Sequence, residues 1–527
     1  MVSGFATSEG TQTFSQKSSV NSLNFNTFEN LHLSNVGIGT YLGDPDEKTD
    51  ELVKNAVKQS LLSGVNVIDT AINYRSQKAE RAIGKAISEL IEEGKISRDQ
   101  IFVSSKNGYV TNDADVKLGF WEYVKKEYSQ KGIIKEGDVT SGYHCMTVPY
   151  LSDQLDRSLE NLGLDCVDLI YLHNAIEGQI KDVSKEQFLE NLKSVFELYE
   201  QKRDEGKIKF YGMATWECFR VVKENPQHLS LEDVVEMAKK IGGDDHGFKF
   251  IQLPYNMNYD QALLSKNQTV QSKPVSILES AVTLGVGVFT SIPFMQGRLL
   301  APGVMPDFDD LKPSLRALQF IRSSPGVLAP LVGQKSSEHV LENLEIMNIP
   351  PIVPDEFLDL VKKLIESLNR NNSVAHVIFS SSTQEDCDNF YGQSKKEGRK
   401  LLIDWTKKSG GIFTGLVIPN VFGPFGNPYY NSVVATFSHQ LTHNEKPKID
   451  LDGRLKLIYV GELINEIYRV ILDAKGCPEL KLDYTSEIKV SELLEKALSR
   501  LHEACLGVKY PKLSRTISLN KIFSKIG

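Results

Sequence analysis

The 527-residue sequence predicts an α/β protein in which a (β/α)8 TIM barrel is followed by a partial Rossmann-like α/β domain. Three observations predict this fold. Eight short apolar segments alternate with amphipathic helical segments over about 310 residues, a proline-rich break follows, and a shorter strand–helix alternation then resumes. Continuous apolar strands that alternate with helices indicate a parallel sheet buried on both faces. Eight such units fit a closed barrel.

The eight predicted barrel strands are short and rich in β-branched and aromatic residues. They are VGIGT (36–40), VNVIDT (65–70), IFVSSK (101–106), VDLIYLH (167–173), IKFYGMA (208–214), FKFIQLP (248–254), VGVFTSI (286–292) and VLAPLVG (327–333). The alternative is an open doubly wound sheet, which needs a glycine-rich turn after its first strand. The turn present is GIGTYLG, whose spacing is GxGxxxG and which no helix follows at once. We interpret it as a barrel loop.

The chain divides into three predicted parts. Residues 1–24 are rich in Ser, Thr and Gln and are predicted to be a disordered arm, residues 25–369 form the barrel domain, and residues 370–527 form the C-terminal domain. In the last of these, VAHVIFSSS, FTGLVIPNVFG and LKLIYV are predicted strands that alternate with helices. They are too few for a complete doubly wound domain.

Composition and net charge limit the classes of binding partner to be expected. The 60 basic and 68 acidic residues give a net charge of −8 without a basic stripe, which argues against nucleic acid and anionic membranes as partners. The sequence contains no apolar run of roughly 20 residues, and its N-terminus lacks the pattern of a secretory signal. The six cysteines are scattered singly, so we expect no metal site and a reduced, cytoplasmic chain.

Four polar residues fall at or just after consecutive predicted strand ends. They are Asp69 and Tyr74 after the second strand, Lys106 at the end of the third and His173 at the end of the fourth. Barrel enzymes place their chemistry at this face. Reduction of a carbonyl by hydride needs a proton for the developing alkoxide. Tyr74 could supply it if Lys106 lowers its pKa and Asp69 holds Lys106, while a neutral His173 orients the carbonyl oxygen.

Three motifs around these residues resemble the signatures of the aldo-keto reductase family. They are VNVIDTAINYRSQKAERAIGKAI, VSSK and LGLDCVDLIYLH, and the resemblance covers about residues 25–369. It implies a (β/α)8 barrel that uses NADP(H) without a Rossmann domain and without metal. It also implies that Tyr74 is the proton donor, that Lys106 and Asp69 tune its pKa, and that His173 orients the substrate.

The same resemblance implies a set of cofactor contacts. Gln252 would contact the carboxamide and Tyr255 the nicotinamide ring, Ser291, Gly297 and Leu299 would cover the pyrophosphate, Gly333, Gln334 and Lys335 would face the phosphate of the adenosine half, and Glu342 and Asn343 would face the adenine. Many members have an arginine where His339 stands here. Lys335 is therefore left to bind the 2′-phosphate, and the choice of NADP over NAD stays open.

The segment from Asn107 to Tyr150, which follows the third strand, is long and rich in aromatic residues. Its length and composition predict a lid or a pocket wall. It contains His144, which we interpret as a loop histidine rather than a catalytic residue.

The C-terminal domain contains FSSSTQEDCDNFYGQSKKEGRK (379–400), which resembles the serine and Tyr-x-x-x-Lys of extended short-chain dehydrogenases. The domain is similar to nucleotide-sugar reductases of capsule and O-antigen synthesis. This resemblance implies catalytic roles for Ser381 or Ser382, Tyr391 and Lys395. The GxxGxxG half that binds the dinucleotide in such enzymes is missing before this serine, so we expect no independent catalysis.

The sequence therefore predicts an NADPH-dependent reductase that converts an aldehyde, ketone or sugar carbonyl to an alcohol. One alternative is a non-catalytic, nucleotide-sensing regulatory or interaction protein built on the barrel. Another is a bifunctional reductase whose C-terminal domain binds a sugar nucleotide. The substrate and the oligomeric state stay open.

Overall fold

A computed structural model describes residues 1–18, 20, 22–305, 311–352, 364–371, 373–386, 390–424, 426, 432–443, 445–447, 449 and 452–505. The chain divides into two compact units. The first comprises residues 1–299 and 309–351, and the second comprises residues 300–308 and 352–527. In the described part of the chain, no helix is both long enough and apolar enough to span a membrane.

The first unit contains twelve described strands. They are β1 (Phe25–Phe28), β2 (Leu31–Ser34), β3 (Gly37–Gly39), β4 (Val67–Asp69), β5 (Phe102–Asn107), β6 (Val167–His173), β7 (Ile208–Ala214), β8 (Phe248–Pro254), β9 (Gln268–Val270), β10 (Lys273–Val275), β11 (Gly287–Ser291) and β12 (Val327–Gly333). Strands β3 to β8, β11 and β12 close a barrel in this order, and all eight neighbouring pairs are parallel. The (β/α)8 prediction is confirmed, and each predicted barrel strand matches to within two residues at either end.

The barrel interior is filled by large side chains that alternate along the strands. The cluster includes Val67, Phe102, Leu169, Tyr171, Phe210, Phe250, Phe289 and Leu331. Gly37 on β3 leaves room for two of them, because a Cβ there would lie 2.7 Å from Leu331 Cδ2 and 2.9 Å from Val67 Cγ1. Side chains two positions further along each strand point the same way. The packed core therefore determines which residues face inward at the C-terminal end of the barrel.

Twelve helices accompany these strands in the described part of the first unit. They are α1 (Ser8–Lys17), α2 (Glu47–Leu62), α3 (Lys78–Glu92), α4 (Phe120–Val124), α5 (Val148–Leu162), α6 (Ala175–Gln179), α7 (Lys185–Asp204), α8 (Leu231–Gly242), α9 (Gln261–Leu264), α10 (Ile277–Leu284), α11 (Pro313–Arg322) and α12 (Ser337–Leu344). Several begin at a residue whose side chain accepts a hydrogen bond from an amide of the first turn, namely Asp46, Ser184, Ser230, Ser276 and Ser336. Such capping satisfies a donor that the helix leaves unpaired.

The N-terminal segment is ordered, so the prediction of a disordered arm is wrong. The Thr7 side chain caps α1, and Phe14 of that helix is only 8% exposed within the main hydrophobic core. Ala6 belongs to the barrel-interior cluster, and its amide donates to the buried carboxylate of Asp168 at 2.6 Å. The polar composition of this segment is misleading, because Phe14, Ala6 and the Ala6 amide contact residues of the barrel that are distant in sequence. No local sequence pattern reveals such contacts.

The second unit contains six strands and four α-helices in the part described between residues 373 and 505. They are β13 (His376–Ser382), α13 (Phe390–Ser409), β14 (Ile412–Ile418), β15 (Asn420–Phe422), α14 (Val433–Thr442), β16 (Arg454–Tyr459), α15 (Val460–Asp473), β17 (Cys477–Lys481), β18 (Ser486–Lys489) and α16 (Val490–Cys505). Strands β13, β14 and β17 form a parallel sheet, and β15, β16 and β18 form a mixed one. The predicted strand FTGLVIPNVFG is two strands, because Pro419 has no N–H for a sheet ladder.

The substitution Phe14→Ala should release α1 from the barrel. Truncation of this buried Phe should cost about 3 kcal/mol, which corresponds to roughly 150-fold faster hydrogen exchange of the α1 amides. Hydrogen–deuterium exchange read by mass spectrometry measures this directly. Phe5→Ala, at a side chain that is 37% exposed, is the control and should leave the α1 amides protected. Rapid exchange of α1 in the unmodified protein would contradict the ordered segment.

Candidate active site

The three strand-end residues Asp69, Lys106 and His173 face the inside of the barrel at its C-terminal end. Each lies an even number of positions beyond a side chain of the interior cluster: Asp69 follows Val67, Lys106 follows Phe102 and His173 follows Tyr171. They belong to the adjacent strands β4, β5 and β6. Strand periodicity and barrel closure therefore bring them together.

Asp69 and Lys106 form a buried ion pair, with side chains that are 5% and 1% exposed. Lys106 Nζ lies 2.5 Å from Asp69 Oδ2 and also donates to the carbonyl of Thr70 at 2.8 Å. The other carboxylate oxygen of Asp69 accepts from Ser104 Oγ at 2.9 Å. Burial lowers the pKa of Lys106, and the Asp69 charge opposes that shift. The pair keeps a cation inside the barrel by hydrogen-bonding it on two sides.

Tyr74 lies above this pair, in the loop that follows β4. Lys106 Nζ is 4.8 Å from the centroid of the Tyr74 ring, and the ring meets His173 edge-on at 5.8 Å. Burial raises the pKa of the Tyr74 phenol well above its ordinary value, and the Asp69 charge raises it further. The expectation that Lys106 lowers this pKa is not met in this arrangement, because burial dominates and the Asp69 charge adds to it. The phenol is therefore protonated at neutral pH, as a proton donor must be.

His173 presents a neutral imidazole beside Tyr74. Burial, and then the charge of Lys106, hold the pKa of His173 well below its usual range. Its Nδ1 is buried, and no residue within the described ranges hydrogen-bonds it. A neutral imidazole can orient a carbonyl oxygen by donating from one ring nitrogen. The structure thus brings all four predicted residues of the tetrad into one cluster.

Three residues predicted to bind the cofactor line the same rim. Gln252, Ser291 and Gly333 lie two positions beyond Phe250, Phe289 and Leu331 of the interior cluster, so they face inward on β8, β11 and β12. The loop after β11 has left-handed backbone at Ile292, Met295 and Gln296 before Gly297, and Leu299 anchors its end at 2% exposure. A Cβ at Gly297 or Gly333 would meet no atom within 4 Å. These positions leave open space beside the rim.

Tyr255 follows β8 at this rim, and its amide donates to the carbonyl of Ser291 at 3.4 Å, but its side chain is directed into the core. Its predicted contact with the nicotinamide stays a prediction. Tyr255 is completely buried, its ring stacks on Phe320 of α11 at 5.6 Å, and its hydroxyl lies 2.7 Å from Ser324 Oγ. The reason is strand parity: Tyr255 is an odd number of residues from the inward Phe250.

The side chains of Gln334 and Asn343 are also directed into the protein, and their predicted contacts with the phosphate and the adenine stay predictions. Gln334 donates to Ser60 Oγ at 3.1 Å and accepts from Asn343 Nδ2 at 2.9 Å. They therefore bind α12 to α2. Glu342 accepts from the Ser314 hydroxyl. Lys335 is half-buried, and its Nζ lies 3.1 Å from where a Cβ would stand at Gly43 in the loop after β3.

The sequence interpretation missed two residues of this site. Tyr41, which follows β3 and is 57% exposed, meets the Tyr74 ring edge-on at 5.0 Å. Asn174, directly after His173, has a left-handed φ of 44° and donates from Nδ2 to the hydroxyl of Tyr109 at 3.3 Å. Position was the available signal, because both residues follow barrel strands and Asn tolerates this conformation.

In the second unit, the serine and the lysine of the predicted triad have partners of their own. The buried Ser381 hydroxyl donates to Glu385, which also accepts from Arg399 at 2.7 to 3.0 Å. Lys395 Nζ donates to the carbonyl of Ser380 at 3.1 Å, and burial lowers its pKa. The side chain of Tyr391 lies outside the described residues. Ser381 thus belongs to a carboxylate–guanidinium network rather than to an open site.

A comparison of the chain with known protein families shows which family it belongs to. The profile described as "Aldo/keto reductase family" matches residues 35–300, about half of the chain. The chain belongs to this family. The family and its oxidoreductase relatives support an oxidoreductase enzyme.

The relatives of this aldo/keto reductase differ in how much of it they match. The NADH-specific methylglyoxal reductase of Escherichia coli is 22% identical over 364 residues, which are 64% of this chain and 97% of the relative. The UDP-2-acetamido-2,6-beta-L-arabino-hexul-4-ose reductase of Pseudomonas aeruginosa is 29% identical over 153 residues, 28% of this chain and 41% of the relative. The chain thus spans less than half the length of that second reductase.

Solved structures of aldo/keto reductases also match. One from Klebsiella pneumoniae, crystallised with NADP and acetate, is 19% identical, covers 65% of this chain and 95% of its own, and has a TM-score of 0.42.

Breaking the Asp69–Lys106 pair should destabilise the barrel. Asp69→Asn or Lys106→Met alone should each cost about 3 kcal/mol, because each leaves one buried polar group without its partner, and the double variant should lose less than the sum. Urea unfolding followed by Trp121 and Trp216 fluorescence, in a Trp405→Phe background, measures the cycle. Lys131→Met, at the exposed pair with Glu127, is the control and should change stability by roughly 0.5 kcal/mol or less. Additive losses would contradict the coupling.

Proposed function

We propose that this aldo/keto reductase is an NADPH-dependent enzyme that reduces an aldehyde, ketone or sugar carbonyl to an alcohol, with Tyr74 as the proton donor. The observation that carries the proposal is the position of the Tyr74 phenol, which packs against Lys106 and His173 at the C-terminal end of the barrel.

Each residue of the tetrad has one step in this reaction. The bound nicotinamide would supply a hydride, with its electron pair, to the carbonyl carbon. Tyr74 transfers its hydroxyl proton to the carbonyl oxygen as negative charge develops there. Lys106 stabilises the resulting phenolate, which is re-protonated from solvent, and Asp69 holds Lys106. His173 donates a hydrogen bond to the same oxygen and orients it.

The rim offers a place for the cofactor. Gln252 would hold the nicotinamide end, and Ser291 with the loop at Gly297 would cover the pyrophosphate. Gly333, at the end of β12, would face the phosphate of the adenosine half without a Cβ in the way. Lys335 is the cation available for the 2′-phosphate that distinguishes NADP from NAD. The Escherichia coli relative is named NADH-specific and the Klebsiella neighbour was crystallised with NADP, so Lys335 is the residue to test.

We propose a sugar carbonyl as the substrate class to test first. The partial similarity to a reductase of a UDP-linked hexulose supports this choice, because that relative reduces a ketone on a sugar ring. In this proposal the second unit contributes sugar-nucleotide binding and no hydride chemistry, since it lacks the GxxGxxG half. A nucleotide-sensing protein without turnover is the competing function, and the same assay distinguishes them.

Tyr74→Phe should abolish reduction. Loss of the proton donor should lower kcat by about 10²- to 10⁴-fold, while NADPH binding persists because the phenol does not hold the nucleotide. The assay is NADPH absorbance with a panel of aldehydes, ketones and UDP-linked keto-sugars, together with a fluorescence titration of NADPH. Tyr391→Phe is the matched control and should leave kcat unchanged. Activity that survives Tyr74→Phe but not Tyr391→Phe would place the chemistry in the second unit.

Lys335→Ala should discriminate between the two nucleotides. It should weaken NADPH binding by about tenfold or more and leave NADH binding unchanged, because only NADPH carries the 2′-phosphate that a charged hydrogen bond would hold. Fluorescence titrations of both nucleotides provide the measurement. Lys312→Ala, at a lysine paired with Glu345 on the surface of the same unit, serves as the control. An equal loss for both nucleotides would place Lys335 elsewhere than at the 2′-phosphate.

A further inference from the structure

His144, in the long segment after β5, is completely buried and fully hydrogen-bonded. Its Nε2 lies 2.8 Å from the backbone carbonyl oxygen of His173, and its Nδ1 lies 3.0 Å from Gln179 Nε2. A carbonyl oxygen can only accept and an amide nitrogen can only donate, so Nε2 carries the proton and Nδ1 accepts. Burial lowers the pKa of His144 to about 4. The ring is neutral and its tautomer follows from its partners.

Two glycines form the walls around this ring. A Cβ at Gly108 would lie 2.5 Å from His144 Nε2, and a Cβ at Gly178 would lie 2.7 Å from His144 Cβ and Cγ. Gly108 follows the strand that carries Lys106, and Gly178 lies in α6, shortly after His173. Both segments that bear tetrad residues therefore close around one imidazole. His144 is therefore a buried histidine of a loop segment.

His144 contacts two residues that lie next to Tyr74 or to its neighbour His173. Its ring holds the backbone of His173, and the next residue, Asn174, has a left-handed φ of 44° and an amide that donates to Ala214 at 2.6 Å. The Tyr109 ring meets the imidazoles of His144 and His173 edge-on at 5.3 and 5.1 Å. His173 and Tyr109 are thus held from one side by the same group.

We propose that His144 is a positioning residue that holds His173 and Tyr109 in the geometry needed for proton and hydride transfer, and that Gly108 and Gly178 are glycines because the imidazole occupies the space of their side chains. The inference rests on the proposed reduction. His144 acts through His173 and does not touch the carbonyl or the nucleotide. Its loss should therefore lower kcat and leave the affinity for NADPH unchanged.

Four variants of the full chain test this role. His144→Leu removes the donor, Gly178→Ala pushes the ring aside without removing any hydrogen-bonding group, and each should lower kcat by about 10- to 100-fold, since small displacements of a positioned group are costly. His144→Gln places an amide N–H near Nε2 and should stay within about threefold of the wild type. Gly119→Ala, in the same segment but with no atom within 4 Å of its Cβ, is the control and should change nothing.

Two further readouts separate positioning from stability and from the proposed function itself. NADPH affinity should be unchanged in all four variants. In the wild type, the ¹⁵N spectrum of the histidine rings should show a protonated Nε2 on His144. The His173 signal should be shifted in His144→Leu and Gly178→Ala and in neither of the other two variants. If His144→Leu keeps its kcat, or if His144→Gln fails as badly as His144→Leu, the role is disproved. A wild-type enzyme without turnover on the whole panel refutes the reductase instead, while the ring spectra still report whether His144 positions His173.

Discussion

The buried ion pair between Asp69 and Lys106 is the constraint on which the rest of the site depends. A lysine that is 1% exposed inside a barrel must be compensated locally, and here Asp69, the Thr70 carbonyl and the Ser104 hydroxyl that supports Asp69 do so. The compensation holds β4 and β5 together at their ends. It also places the Lys106 cation under the face of Tyr74, so the position of the phenol follows from the way the lysine is buried.

Much of the fold could be predicted because the barrel strands are apolar at consecutive positions, which indicates burial on both faces of the sheet. Continuous apolar segments such as VDLIYLH favour strands whose two faces are both covered, and all eight barrel strands could be predicted from such segments. The N-terminal helix could not be predicted, since Phe14 and Ala6 are buried by partners far away in sequence. Pro419 is a local signal for the break between β14 and β15.

The residues of the site also differ in how well the sequence predicts their positions. Asp69, Lys106 and His173 could be placed because each ends a strand, and strand ends converge at one face of a barrel. The inward direction of the Tyr255 and Asn343 side chains could not be predicted from linear similarity alone, because one residue of offset on a strand moves a side chain to the opposite face. Strand parity measured from Phe250 indicates the direction of the Tyr255 side chain, whereas the direction of Asn343 follows from its hydrogen bond to Gln334, a contact that no sequence pattern reveals.

The electrostatics of the cluster follow from excluding water rather than from adding charges. Lys106 is the cation beside Tyr74, while burial keeps the nearby imidazoles of His173 and His144 neutral. Protonation of either histidine would add positive charge beside Lys106 and take away an acceptor nitrogen. Gly108 and Gly178 keep the His144 ring tightly enclosed, and that enclosure lowers its pKa. The same packing that orients the substrate side of the site therefore also determines its charge state.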